Sequence, residues 1–185
     1  MSGAGNNDHV RLALPAEARF IATVQRRIWA EAPSGSAPEA LLQAVDEAVM
    51  SEMWHRAITR PPQARFRVLV ALRDDLVVGY AVTGPAGDPD ADPADDGAIE
   101  EFAVDPVARR LGHGSRLLNA CADTLVADGF SRATCWLGTT DDLLRRFLSE
   151  SGWAPDGASR EIGTDDATVR VKQVRLHVAL AEPTG

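Results

Sequence analysis

Among 185 residues there is one tyrosine, Tyr80, and only two cysteines, Cys121 and Cys135. Both cysteines fall within apolar patterns and neither has metal-ligand spacing, which argues against a disulfide framework and points to core thiols in a reducing, cytoplasmic setting. The four histidines are scattered, so no metal site is expected. Basic residues are outnumbered, 19 Lys+Arg against 27 Asp+Glu, for a net charge of −8. That balance argues against a nucleic-acid partner and leans weakly towards neutral or cationic ligands. No apolar run approaches the ~20 residues a membrane-crossing helix requires, and the polar start MSGAGNNDH lacks a signal-peptide core.

What the chain does have is centred on residues 98–129. Residues 99–104 read as an apolar strand, stopped by Asp105-Pro106 because proline cannot continue a ladder. A basic loop follows, Arg109, Arg110, Leu111, Gly112, His113, Gly114 and Ser115. Then comes a helix with Leu117, Leu118, Cys121, Leu125 and Val126 on one face, ended by Gly129. A helix N-terminus offers unpartnered N–H groups and a partial positive charge. Glycines let a ligand approach the backbone, and arginines add full charges. The loop therefore reads as a phosphate or pyrophosphate cradle, with an ordinary tight connection as the alternative.

The remainder reads in order as follows. Residues 1–8 are expected to be disordered, 9–181 to form one domain and 182–185 a tail. A short strand (9–14) leads into a helix opened by Pro15 and Glu17. A second helix starts at Pro38 and carries Leu41, Leu42, Val45, Val49, Met53 and Trp54. Residues 66–72 and 76–83 form a hairpin about Arg73-Asp74-Asp75. The acidic stretch 84–97, GPAGDPDADPADDG, reads as a mobile solvated insertion, the alternative being a substrate-facing flap. A strand over 131–137 precedes a helix capped by Thr140, which ends at Ser151-Gly152-Trp153. The turn Pro155-Asp156-Gly157 and a long strand over 167–180 follow. This order implies a mixed α/β (α+β) fold with a largely antiparallel sheet.

Two motifs in this context resemble those of the GNAT N-acetyltransferase family. One is Val104-Asp105-Pro106 followed by Arg109-x-x-Gly112-x-Gly114. The other is the segment from Arg146-Phe147 to Gly152-Trp153. The resemblance implies a mixed central sheet of about seven strands with about four helices, splayed at the fourth strand. It also implies acetyl-CoA as co-substrate. Backbone at Phe102, Ala103 and Val104 would pair with the pantetheine arm, the amides of 109–115 would hold the pyrophosphate, and Asp141 and Phe147 would complete the site. Asp141 stands where members often have Asn, and Leu148 where many have a tyrosine that protonates the leaving thiolate.

An amine must lose its proton before it attacks a thioester, so a base is wanted. Strand alternation puts Glu100 and Glu101 on opposite faces, Glu100 with Phe102 and Val104. Glu100 is the preferred base by resemblance to polyamine acetyltransferases, with Glu101 as the other candidate and an ordinary strand glutamate as the bland reading. Tyr80 flanks the cleft either as a packing residue or as the acid, the other source of that proton being water. His113 reads as a phosphate contact, Trp54 as core, His55 as exposed, and Arg160 as a charged loop residue. The expected activity is acetyl transfer from acetyl-CoA to a primary amine, in a small molecule or at a protein N-terminus or lysine. An acyl-CoA-binding module with little turnover is the alternative, and a dinucleotide-binding α/β protein a remoter one, since residue 117 is Leu where the dinucleotide motif needs Gly. A homodimer is left open.

Overall fold

A computed structural model describes residues 7–163 and 169–180. The expected tail 182–185, residues 1–6 of the expected disordered start and the first two residues of the last expected strand lie outside these. Asn7 and Asp8, assigned to that start, are instead tied down: the Asn7 amide donates to Asp74 at 3.2 Å and Asp8 pairs with Arg116 at 3.2 Å.

The strands are β1 (His9–Leu12), β2 (Arg67–Arg73), β3 (Leu76–Pro85), β4 (Asp96–Val104), β5 (Arg132–Gly138), β6 (Ala154–Gly163) and β7 (Arg170–Ala179). They form one seven-stranded sheet in the order β1-β2-β3-β4-β5-β7-β6. Every pairing is antiparallel except β4 with β5. The helices are α1 (Ala18–Ala30), α2 (Ala37–Ala44), α3 (Glu47–Thr59), α4 (His113–Ala127) and α5 (Asp142–Glu150). None of them is long and apolar enough to cross a membrane.

Period-two alternation in the central strands feeds two cores. In β2, Leu69 and Ala71 join one core with Leu117, Leu118, Cys121 and Leu125 of α4, Leu148 of α5 and Trp153. Val68, Val70 and Leu72 join the other with Ile21, Ala22 and Val24 of α1 and Met50 and Trp54 of α3. The site lies where the sheet parts between these two layers. Leu117 is wholly buried in the first core. Leu117→Ala is expected to cost about 2–5 kcal/mol by urea unfolding, from lost burial and the cavity left behind.

Four local expectations are corrected. The second helix breaks into α2 and α3 at Val45 and Asp46, which adopt extended ψ angles of 120° and 150°. The Val45 carbonyl, which would have continued the helix, accepts from Arg26 at 2.8 Å. Asp141 rather than Thr140 caps α5, accepting from the Leu144 amide at 3.1 Å. Pro155-Asp156-Gly157 is an irregularity within β6, whose ladder to β7 shifts register between Pro155 and Ser159. Residues 84–97 are not a loose insertion: Asp96 pairs with Arg132 at 3.4 Å and accepts from the Asp92 amide at 2.9 Å, and Asp88 and Asp90 are bound as described below.

Candidate active site

The ladder between β4 and β5 runs from Asp96 with Arg132 to Ile99 with Cys135 and then stops. Both strands continue, to Val104 and Gly138. Two features of β4 cause the parting. Against β3, Val82 pairs with Glu101 but Thr83 pairs with Ile99, so Glu100 is an inserted residue, and a bulge bends its strand. Beyond Val104, the Asp105 amide donates to Val78 at 2.8 Å. The buried Asp105 carboxylate accepts from Arg27 of α1 at 2.7 Å and from the Val107 amide at 3.2 Å. The end of β4 is thereby held towards β3 and α1, away from β5.

The parting opens a cleft of about 360 Å³. Phe102, Val104, Leu143, Leu144 and Phe147 line its apolar side, Ile28 and Ala103 its α1 side, and Arg109, Arg110, Gly112, Gly114, Ser115 and Asp141 its polar end. The Phe102 and Phe147 rings stack, centroids 5.7 Å apart. Phe102, Ala103 and Val104 pair with β3 on one edge only. Their other edge has no strand beside it, because the β5 ladder has ended.

The polar end is built from backbone. Arg110 and Gly112 have φ of 62° and 85°, and such left-handed residues curl successive N–H groups towards one point. Among the described residues, the amides of 110–115 find no protein acceptor, and the next bond of α4 is from Arg116 to Gly112. A Cβ on Gly114 would lie 3.5 Å from Phe147 and 3.7 Å from Val104, so Gly114 faces the cleft. Arg109 shares its charge with Glu31 at 2.8 Å, while Arg110 is exposed. Leu111 and His113 do not line the cleft. Leu111 is exposed, and His113 is 2% exposed beneath the loop with Nε2 unpartnered. Burial lowers its pKa, and the ring is enclosed in the protein away from the cleft lining.

The opposite face of the sheet carries the two glutamates, and here the alternation expectation fails. Because Glu100 is the inserted residue, it does not share a face with Phe102 and Val104, which pack towards α4 and α5. Its electrostatic neighbours are Arg160 and Asp88, on the other side. Burial, and secondarily the nearby Glu100 charge, pushes the Glu101 carboxyl up to about 7, although its side chain is exposed. Burial likewise raises Glu100. Tyr80 is 2% exposed, edge-on to Trp54 at 4.9 Å, and lies outside the cleft lining. Burial raises its pKa well above that of a free phenol. Trp54 is buried with its indole donating to Gln25, and His55 is exposed.

Beside Glu100 lies a cluster that sequence spacing does not disclose. Arg175 of β7, 6% exposed, grips Asp90 through two bonds of 2.7 Å and Asp156 at 2.6 Å, and meets Asp88 at 3.3 Å. Trp136 donates to Asp88 at 2.9 and 3.1 Å, and Arg160, on β6 and not in a loop, lies over the Trp136 ring at 4.2 Å. Arg175 alternates with apolar residues in a strand, a pattern that ordinarily marks a solvent-facing charge.

The family model described as acetyltransferase (GNAT) family matches residues 26–153. No curated protein matches the sequence. Among solved structures, the chain is similar to a ribosomal-protein-alanine N-acetyltransferase from Brucella melitensis, at 19% identity and a TM-score of 0.72, covering 92% of this chain and 99% of that one. It is also similar to the yncA protein of Salmonella typhimurium, described as an acetyltransferase with its cofactor acetyl-CoA, at 17% identity and a TM-score of 0.69, over 97% and 98% of the two chains. A GNAT acetyltransferase from Desulfovibrio desulfuricans shares 18% identity and a TM-score of 0.68, over 94% and 99%.

Proposed function

Because the chain belongs to the acetyltransferase (GNAT) family, we propose that it transfers the acetyl group of acetyl-CoA to a primary amine. The observation that carries this reading is the cleft where β4 leaves β5, with a one-sided strand edge at Phe102, Ala103 and Val104 and unsatisfied amides over 110–115 at its end. An apolar slot, a free strand edge and an anion nest in that sequence fit a pantetheine arm joined to a pyrophosphate. When bound, acetyl-CoA supplies an activated acetyl thioester.

The chain's own residues do the rest. The amides of 110–115, the α4 N-terminus and Arg110 hold the diphosphate. The free edge of β4 pairs with the amide-bearing arm as a neighbouring strand would. Phe102, Leu144 and Phe147 exclude water along the slot, and Asp141 keeps the start of α5 in place beside it. The Val104 amide polarises the carbonyl oxygen, where negative charge develops.

The acceptor approaches from the face that carries Glu101, two residues before Ala103 on the same side of β4. A carboxyl titrating near 7 takes a proton from an ammonium more effectively than an ordinary glutamate. We therefore assign the base to Glu101 rather than Glu100. Tyr80 is assigned to packing against Trp54, and the departing thiolate takes its proton from solvent. Tyr80→Phe is accordingly expected to keep kcat within about twofold, since its hydroxyl has no hydrogen-bond partner among the described residues.

Leu148, 1% exposed within the α4 core, supplies no acid, and this favours as second reading a module that binds acyl-CoA with little turnover. Mass spectrometry of primary amines incubated with the protein and acetyl-CoA tests the choice. N-acetylated product that requires both protein and acetyl-CoA is expected. Tight acetyl-CoA binding without product would favour the binding module.

A further inference from the structure

Trp136 stands one residue beyond Cys135, the last β5 residue paired with β4. Cys135 faces the α4 core, so Trp136 points to the opposite face, which carries Glu100 and Glu101. The indole is fixed by its edge. Nε1 donates to both oxygens of Asp88, and Asp88 is itself held by the buried Arg175 guanidinium at 3.3 Å. Arg175 also anchors Asp90 and Asp156, so the acidic segment and β6 are bolted together around the ring.

The face of the ring is occupied by a cation. The Arg160 guanidinium lies 4.2 Å from the ring centroid. Its own attachments are a 3.8 Å ion pair with Asp88 and a hydrogen bond to Gln173 at 2.7 Å, and its side chain is 42% exposed. A cation over an indole, beside a carboxylate, is the arrangement by which proteins recognise ammonium groups. Here the chain's own arginine shows that the seat accepts one. Glu100 has Arg160 and Asp88 as its electrostatic neighbours and forms no ion pair among the described residues. It opens between this seat and Glu101.

We infer that Trp136 determines acceptor specificity, its indole face taking a second positive charge of the amine acceptor in the place the Arg160 guanidinium holds. This rests on the acetyl-transfer reading and narrows its acceptor to an amine that carries another cationic group. The ammonium gives one proton to Glu101, the freed amine attacks the thioester carbonyl, and the nitrogen loses its second proton to solvent as the carbon–sulfur bond breaks and the CoA thiolate takes up a proton from solvent. The second nitrogen stays charged over Trp136, between Asp88 and Glu100. Arg160 competes with it, so the seat discriminates against acceptors that bring no cation of their own.

The experiment compares kcat/KM, by release of free thiol from acetyl-CoA, for 1,5-diaminopentane and 1-aminopentane, and for the peptides Ser-Arg-Gly and Ser-Ala-Gly. The two pairs separate a small-molecule source of the second charge from a peptide one. At least one pair should favour the dication about tenfold. Trp136→Leu should bring that ratio close to one, and Trp136→Phe, which restores an aromatic face, should recover part of it. Arg160→Ala should lower KM for the preferred dication, a change that a merely structural arginine would not produce. Equal use of both members in both pairs overturns the inference, as does an unaltered ratio in Trp136→Leu. Acetyl-CoA binding, seen as a thermal shift, with no probe acetylated also overturns it while leaving the donor site standing. No thermal shift with acetyl-CoA overturns the acetyl-transfer reading itself.

Discussion

Glu101→Gln is expected to lower kcat for amine acetylation by about two to three orders of magnitude, the usual contribution of a positioned general base. The groups that act on Glu101 are the Glu100 charge on the same strand and the neutral Tyr80 hydroxyl on β3, while Asp88 in the acidic segment and Arg160 on β6 act on Glu100. Burial outweighs these in setting its carboxyl at about 7. The base works when ionised, so kcat/KM should rise with pH through about 7, and Glu101→Gln should lose that limb. Glu100→Gln should lower activity far less and leave the limb in place. A variant of Glu100 that removed the limb would transfer the role back to the residue that the resemblance to polyamine acetyltransferases favours.

The same group makes a statement about stability with the opposite benefit. A carboxyl raised from about 4.5 in the unfolded chain to about 7 in the fold binds more protons when folded. Its favourable contribution is full below the unfolded value and is lost as pH rises through the folded one. Glu101→Gln is therefore expected to raise Tm at about pH 8 and to leave it little changed at about pH 4. A base kept ready at neutral pH costs stability there, as strained or desolvated groups at active sites commonly do.

Gly112→Asp and Gly114→Asp are each expected to abolish the thermal stabilisation that acetyl-CoA confers, worth about 2.7 kcal/mol at a hundredfold excess over Kd. The two substitutions act differently. Gly112 holds a φ of 85°, which an L side chain adopts only with strain, so its change distorts the curl of amides as well as adding a negative charge. Gly114 has ordinary backbone, and its Cβ would make normal contacts with Phe147 and Val104. Gly114→Ala should therefore fold normally and weaken binding modestly, whereas the aspartate places a like charge where the diphosphate sits. Calorimetric unfolding with and without acetyl-CoA measures all three. An undiminished shift in Gly114→Asp would remove the phosphate role from the loop.

The site's backbone half was legible because its signals are local. The Asp105-Pro106 stop, the Gly-x-Gly turn and the amphipathic face of α4 are each set by neighbours within a few residues, and the cleft gathers Phe102, Val104, Arg110, Gly112 and Gly114 as those signals imply. The facing of Glu100 was misread because it depends on a partner strand. That Glu100 joins Glu101 on the face opposite Phe102 and Val104 is decided by a bulge against β3, and no residue of β4 announces it. His113 was misplaced for a related reason: its backbone belongs to the helix start, while its ring is drawn under the loop among Asp8, Arg73 and Arg116, the first of them distant in sequence. The Arg175 cluster joins residues up to 87 positions apart, Asp88 and Arg175, and its acidic members looked like ordinary solvated charge until the fold brought a buried guanidinium to them. β6 escaped notice because Pro155, Asp156 and Gly157 spell a turn, and β7 absorbs it as an irregularity.

The amide NMR spectrum of the intact chain, recorded as acetyl-CoA is added, tests the central claim most directly. The largest shifts are expected at Ala103 and Val104 on the free strand edge and at the amides of 110–115, whose N–H groups have no acceptor among the described residues. Shifts concentrated elsewhere, for instance along the outer groove of α3 around Met53 and Arg56, with residues 103–115 unmoved, would contradict it.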